Sequence, residues 1–184
     1  MKRTFRILIL SLLLPLCWGS KKSADVSDTS SNTQKSTLPE YVLRDVRHYH
    51  YEDGVLRFEI TFEDGEYYAG SEELYVENCR FVYYDKNKAT LSRGSSKLAR
   101  IYGERSLVIA EKDVFIVSDV NGTALQTDYL EWHGEEEKFV TESPVEITRK
   151  NGDMITGRGM VADLSLRFIT IKSDVRGSVK QNDF

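Results

Sequence analysis

His48 and His50 stand two residues apart, a spacing that puts both imidazoles on one face of a strand, where they could begin a metal shell. No carboxylate or thiol pattern beside them completes it, so no metal is expected. Glu135, Glu136 and Glu137 follow His133 and could do acid–base work. Three carboxylates in a polar stretch read instead as a solvated turn. Arg93, Lys97, Arg100 and Arg105 form a local basic cluster, which could meet lipid phosphates, an acidic partner or only water. The sequence contains no nucleophile elbow, no phosphate-binding glycine loop and no zinc-helix motif, so neither a cofactor nor catalysis is expected. Cys17 and Cys79 are the only thiols, too few for a disulfide framework or a structural zinc site, each of which needs about four ligands. Cys79 reads as a buried small hydrophobe.

These residues sit in a chain of 184, which supports one modest domain. Lys plus Arg number 25 against 29 Asp plus Glu, for a net charge of −4. The first 22 residues carry Lys2, Arg3, Arg6, Lys21 and Lys22 and no acid, so the remainder is more acidic still. That sign argues against a nucleic-acid binder, which needs a basic face for phosphates. Residues 1–19 read as a signal peptide or membrane anchor: a basic start, then an apolar run from Ile7 to Gly19 that is shorter than the roughly 20 residues of a comfortable membrane span. Three fates remain open, namely lipidation at Cys17, cleavage near Gly19 and retention as an anchor; Leu16 is bulkier than a lipidation motif usually places before its cysteine. Residues 20–38 are rich in Ser and Thr, with Ala24, Val26 and Leu38 as their apolar members. Such a stretch cannot offset its ordering entropy and reads as a tether of roughly 25 Å reach. The domain proper is placed at residues 39–179, with a short tail at 180–184.

Within that domain Leu56, Phe58, Ile60 and Phe62 alternate with Arg57, Glu59 and Thr61, the period of a strand with one apolar face. Turns are expected at Asp53-Gly54, Asp64-Gly65, Asn121-Gly122 and Asn151-Gly152. Further β-rich runs span Leu74 to Tyr84, Ser106 to Val117, Ala124 to Trp132, Val145 to Thr148 and Leu164 to Lys172. No helical apolar stripe appears after residue 40. A weak repeat, with strand starts at Tyr68, Leu98, Leu125 and Ile155 about 30 residues apart, predicts hairpins that share one core in two facing sheets, as a jelly roll or a closed barrel.

Three linked blocks then become recognisable: Leu125-Gln126-Thr127-Asp128-Tyr129-Leu130-Glu131-Trp132, Phe139 to Ile147, and Gly152 with Ile155-Thr156-Gly157-Arg158-Gly159-Met160-Val161-Ala162-Asp163. In order and spacing they resemble the LptC family of lipopolysaccharide export proteins, within the wider LptA/LptC/OstA-like group; single blocks also occur in LptA and in the periplasmic part of LptD. The resemblance implies a twisted, open β-jelly roll of antiparallel hairpins that receives lipopolysaccharide acyl chains. It implies as partners lipopolysaccharide or a related glycolipid, the LptB/LptF/LptG ABC transporter and the LptA bridge, on the periplasmic face of the inner membrane. An LptA-like bridge module and an exported β-sandwich glycan hydrolase remain as alternatives. The hydrolase would need two carboxylates facing each other in a cleft, which is not expected here. Candidate groove residues are Leu56, Phe58, Ile60, Phe62, Leu107, Ile109, Leu125, Tyr129, Val145, Ile147, Leu164, Leu166 and Phe168. One partner edge is assigned to Tyr41–Tyr51 and Val55–Phe62, with Tyr41 and Val42 at its start. The other is assigned to Ile155–Val161 and Phe168–Val175, where Gly152, Gly157 and Gly159 permit bends or close approach.

Overall fold

The computed structural model describes residues 38–180. The leader with Cys17, nearly all of the tether and nearly all of the tail lie outside the described residues. Nine strands follow one another: β1 (Tyr41–Glu52), β2 (Val55–Tyr68), β3 (Glu73–Tyr84), β4 (Thr90–Tyr102), β5 (Leu107–Ser118), β6 (Ala124–His133), β7 (Lys138–Thr148), β8 (Met154–Asp163) and β9 (Ile169–Ser178). Each pairs antiparallel with the next, in the order β1 to β9. A 3-10 turn at Gly103–Arg105 links β4 to β5. β1 and β9 are the outer strands of the sheet, so the barrel alternative is excluded and the all-β, open arrangement stands.

One sheet does the work expected of two. Strands β2 and β6 lie four places apart, about 19 Å in a flat sheet at the usual strand spacing. Yet the rings of Phe58 on β2 and Trp132 on β6 stack at 5.5 Å, and Phe81 on β3 meets Phe139 on β7 at 6.2 Å. Only a sheet folded over on itself allows this. The fold line is a row of backbone irregularities through the middle of the strands. Positive φ angles occur at Asp45 in β1, Asn78 in β3, Lys112 and Asp113 in β5, Gly159 in β8 and Asp174 in β9. The pairing register shifts between Ser95 and Leu98 in β4, Thr127 and Glu131 in β6, and Thr141 and Pro144 in β7. Bulges of this kind bend a strand and raise its twist. Repeated in register, they crease the sheet, so that one half of each strand belongs to one layer and the other half to the facing layer.

Three expected turns form as hairpin turns: Asp53-Gly54 with φ of 50° and 76°, Asn121-Gly122 and Asn151-Gly152. Asp64-Gly65 does not; it lies inside β2, close to the crease, where Gly65 leaves room for the Phe62 ring. The strand expected over Leu164 to Lys172 begins only at Ile169. The preceding residues, Leu164–Phe168, instead form a connection that folds inward. Pro144 sits at the crease of β7, where a missing N–H is tolerated, and its carbonyl accepts Thr127 Oγ1 at 2.8 Å.

The interior is uneven along the roll. Toward β9 it is packed shut by Val114, Ile116, Leu125, Leu130, Phe139, Val145, Ile147, Met160 and Ala162, with Leu164 and Leu166 filling the mouth. The connection carrying those two leucines is tied to the opposite layer. Ser118 Oγ donates to Ser165 O at 2.5 Å, and Asn121 Nδ2 donates to Leu166 O at 3.2 Å. Leu166 is 1% exposed at a φ of 51°, a conformation held by its surroundings. Asp163 organises the turn, accepting from Ser165 Oγ and from the backbone N–H of Arg167 and Phe168, both at 2.8 Å. Burial works against its charge, but these hydrogen bonds outweigh it and hold the carboxyl below its ordinary value.

A depressed carboxyl contributes stability above its unfolded value that is lost as pH falls through the lower folded value. Asp163→Asn is therefore expected to cost about 1–2 kcal/mol in denaturant unfolding at pH 7. The difference from the parent should close as pH drops below about 4; a difference independent of pH would contradict this reading.

Candidate functional site

Toward β1 the layers stand apart and leave a cleft of about 1010 Å³. Its apolar wall is set by alternation on either side of the crease. Leu43 of β1 faces in, Asp45 slips the phase, and Val46 then faces in. On β2 the inward residues are Phe58, Ile60 and Phe62; Leu74, Ile101 and Val108 complete the lining from β3, β4 and β5. Val76, Cys79 and Ala99 pack behind Ile60 and Phe62 as a small second core.

At its inner end the cleft meets an aromatic cluster that bridges the layers. Phe58 stacks on Trp132 with planes 8° apart, contacts Phe81 and Tyr83 at 6.1 Å each, and Tyr83 meets Trp132 edge-on at 6.3 Å. These rings line an apolar void of about 30 Å³.

The mouth is polar. Arg57, 8% exposed, lies at a register shift where His50 pairs with Phe58 but Tyr51 with Leu56, so that Arg57 and Phe58 both line the cleft. Its guanidinium sits 5.8 Å from the Tyr83 ring centre and meets Glu52 at 3.6 Å from its own layer and Glu137 at 3.5 Å from the facing one. Two carboxylates thus do converge at the cleft, against expectation. A cation lies between them, in the space a glycosidic oxygen would have to occupy, and both are more than half exposed. Burial first, and the neighbouring His48 second, lower the His50 pKa below its ordinary value. Burial, then the Glu137 charge, raises that of Tyr83. No group of three or more His, Cys, Asp or Glu suited to a metal occurs among the described residues. Burial also pushes the Cys79 thiol up to about 12, which leaves it protonated and unreactive in the folded chain.

The candidate groove residues separate into distinct places. Phe58, Ile60, Phe62 and Leu107 line the cleft, whereas Leu56, half-buried on the far side of the register shift, does not. Leu125, Val145, Ile147, Leu164 and Leu166 belong to the closed core. Ile109 and Tyr129 lie outside both the cleft and the closed core, Ile109 buried at 9% exposure and paired with Arg100 and Glu131, and Tyr129, half-buried, donating to Glu131 at 2.7 Å. There burial and that hydrogen bond raise the Tyr129 pKa to about 12, while the same bond lowers that of Glu131. Phe168 is 74% exposed in the β8–β9 connection, away from the cleft.

Of the edge residues, Tyr41 and Val42 lie exposed on β1 and Val175 exposed on β9. β2 and β8 are interior strands, so the wider edge assignments contract to β1 and β9. Gly152 serves the β7–β8 turn at a φ of 90°. Gly157 lets β9 approach, since a Cβ there would strike Ile171 and lie 3.0 Å from Ser173 O, and Gly159 makes the crease of β8 at a φ of 69°. Arg93 and Lys97 are committed to Asp119 and Asp113, and Arg100 to Glu111. Arg105 lies over the Tyr102 ring.

Leu43, Val46, Leu74, Ile101, Val108 and Trp132 also line the cleft, although strict alternation alone does not single them out. Their signal is a change of alternation phase at Asp45, Asn78 and the β4 and β6 shifts. No helix among the described residues is long and apolar enough to cross a membrane. No curated protein matches the sequence closely enough to count as a relative. The sequence model of the family described as lipopolysaccharide-assembly, LptC-related, matches residues 7–180. An open antiparallel roll with an apolar interior cleft, matched over nearly its whole length, places this chain in the LptC-related family of lipopolysaccharide transport components.

Proposed function

We propose that this chain works at the periplasmic face of the inner membrane, held there through its N-terminal segment. In this reading it takes lipopolysaccharide from the LptB/LptF/LptG transporter and passes it to an LptA-like bridge. The observation that carries the reading is the cleft between the layers, apolar along its walls and open toward β1. Acyl chains gain about 0.8 kcal/mol for each methylene removed from water, so a slot of this size would hold them firmly without any covalent step. The second support is the pair of outer strands: each can continue into a neighbour's sheet by main-chain hydrogen bonds. The β1 edge flanks the open cleft and suits the donor. The β9 edge, at the closed end, suits the acceptor, and onward passage requires the layers to part beyond the aromatic cluster.

Photo-crosslinking residues at Val42 and Val175, placed in the full chain in cells, test this polarity. Adducts with transporter subunits from Val42 and with the bridge from Val175 are expected. The reverse pattern, or both partners from one edge, would overturn it.

A further inference from the structure

Among the residues that line the cleft, three hydrogen-bond donors are buried without an acceptor at hydrogen-bonding distance. Trp132 Nε1 and Ser106 Oγ have no hydrogen-bond partner among the described residues, and Arg57 Nε approaches Glu52 only to 3.6 Å. Ser106 is 1% exposed and lines the cleft. Its backbone is already committed, its N–H to Gly103 O at 3.3 Å and its carbonyl to Gly134 N–H at 2.7 Å, so the spare hydroxyl plays no part in holding the turn. The three residues line the same cleft. A Cβ at Gly134 would lie 3.1 Å from Trp132 Cη2 and 3.2 Å from Ser106 Cβ, which sets the indole beside the serine. The Trp132 ring in turn packs edge-on against Tyr83, over which the Arg57 guanidinium lies.

An unsatisfied buried donor costs about 1–3 kcal/mol, and native proteins tolerate few. Three lining one cleft mark a place where acceptors arrive with a ligand. We propose that Arg57 Nε, Trp132 Nε1 and Ser106 Oγ form a donor subsite for the oxygens at which the acyl chains of a glycolipid join its headgroup, whether acyl carbonyl or phosphoryl. This rests on the lipid-cleft reading above and adds a point of register to it: the walls hold the chains without preference for depth, and the donors fix how far in the ligand sits. Glu137 pairs with the Nη2 of the guanidinium, and Glu52 faces Nε at 3.6 Å, beyond hydrogen-bond distance, so Nε still lacks an acceptor.

The test measures equilibrium binding of bis-phosphorylated lipid A, and of the same lipid dephosphorylated, to the purified full chain, together with thermal unfolding. Ser106→Ala should bind lipid A about three- to tenfold more weakly, as expected for one lost hydrogen bond, with Tm unchanged or raised because an orphaned hydroxyl is gone. Ser106→Gly, which suits the φ of 48°, should behave alike should the Ala variant prove poorly folded. Trp132→Phe should show a similar loss of affinity. A loss that persists with the dephosphorylated lipid assigns the acceptor to a carbonyl; a loss confined to the phosphorylated one assigns it to a phosphoryl oxygen. Parental affinity of the Ser106 variants for both lipids would overturn the subsite and leave the cleft reading standing. Failure of the parent chain to bind either lipid would overturn both.

Discussion

Val46→Glu is expected to weaken lipid binding by tenfold or more while the domain stays folded. Val46 lines the cleft from β1, half-buried, on an outer strand whose neighbour β2 is held by its other pairing with β3. In the free protein the new carboxylate can turn toward the water that fills the open cleft. With acyl chains in place it must be desolvated against hydrocarbon, and an unpaired charge in such surroundings costs several kcal/mol. The expense therefore falls mainly on the bound state. Equilibrium binding of lipid A beside thermal unfolding separates the two effects. A binding loss with Tm within a few degrees of the parent fits the account, whereas unchanged binding would mean that lipid does not enter between the layers.

Leu125→Ala should have the opposite profile, a fall in stability of about 2–5 kcal/mol. Leu125 is fully buried in the packed half of the roll, among Ile116, Ile147 and Met160, all nearly or wholly inaccessible. Alanine there removes the transfer energy of the lost methyls and leaves a hole that paired strands on both sides keep from collapsing. Urea unfolding of the full chain reads the change directly. A cost below about 1 kcal/mol would show that the β9 half is loosely packed, and the contrast between a closed and an open half would fail with it.

That contrast marks the limit of what the sequence conveys. Alternation over Phe58 to Phe62 identifies the inward face of β2, and the Asp53-Gly54, Asn121-Gly122 and Asn151-Gly152 dipeptides locate three turns because the positive φ angles there suit few other residues. The crease is harder to read. It slips the inward phase within single strands, from Leu43 to Val46 in β1 and from Val76 to Cys79 in β3, so a period-2 pattern extended across it points to the wrong face. Continuing the phase of Leu125 past Thr127 puts Tyr129 inside, whereas the register shift in β6 leaves it out of the cleft and the core. The slips centre on Asp45, Asn78 and Asp174, residues that tolerate a left-handed backbone and so leave a faint trace in the sequence.

Which half of the interior is open leaves no such trace. The apolar positions of β5 to β8 are as greasy as those of β1 to β3. What closes the former is the inward turn of Leu164 and Leu166, pinned across the mouth by Ser118 and Asn121 and shaped locally by Asp163. The Ser118 and Asn121 contacts join residues 47 and 45 positions apart, and only the folded sheet brings them together. Arg57, read as a solvent-facing partner of Phe58, is turned inward by a single register shift, which no local pattern announces.

The central claim is that lipid lies between the layers at the β1 end. Photo-crosslinking residues at Val46, Phe58, Tyr129 and Phe168 of the full chain in cells test it most directly. Glycolipid adducts from positions 46 and 58, with none from 129 outside the cleft or 168 in the exposed connection, are the predicted result. Adducts from 129 or 168 with none from 46 and 58 would contradict it.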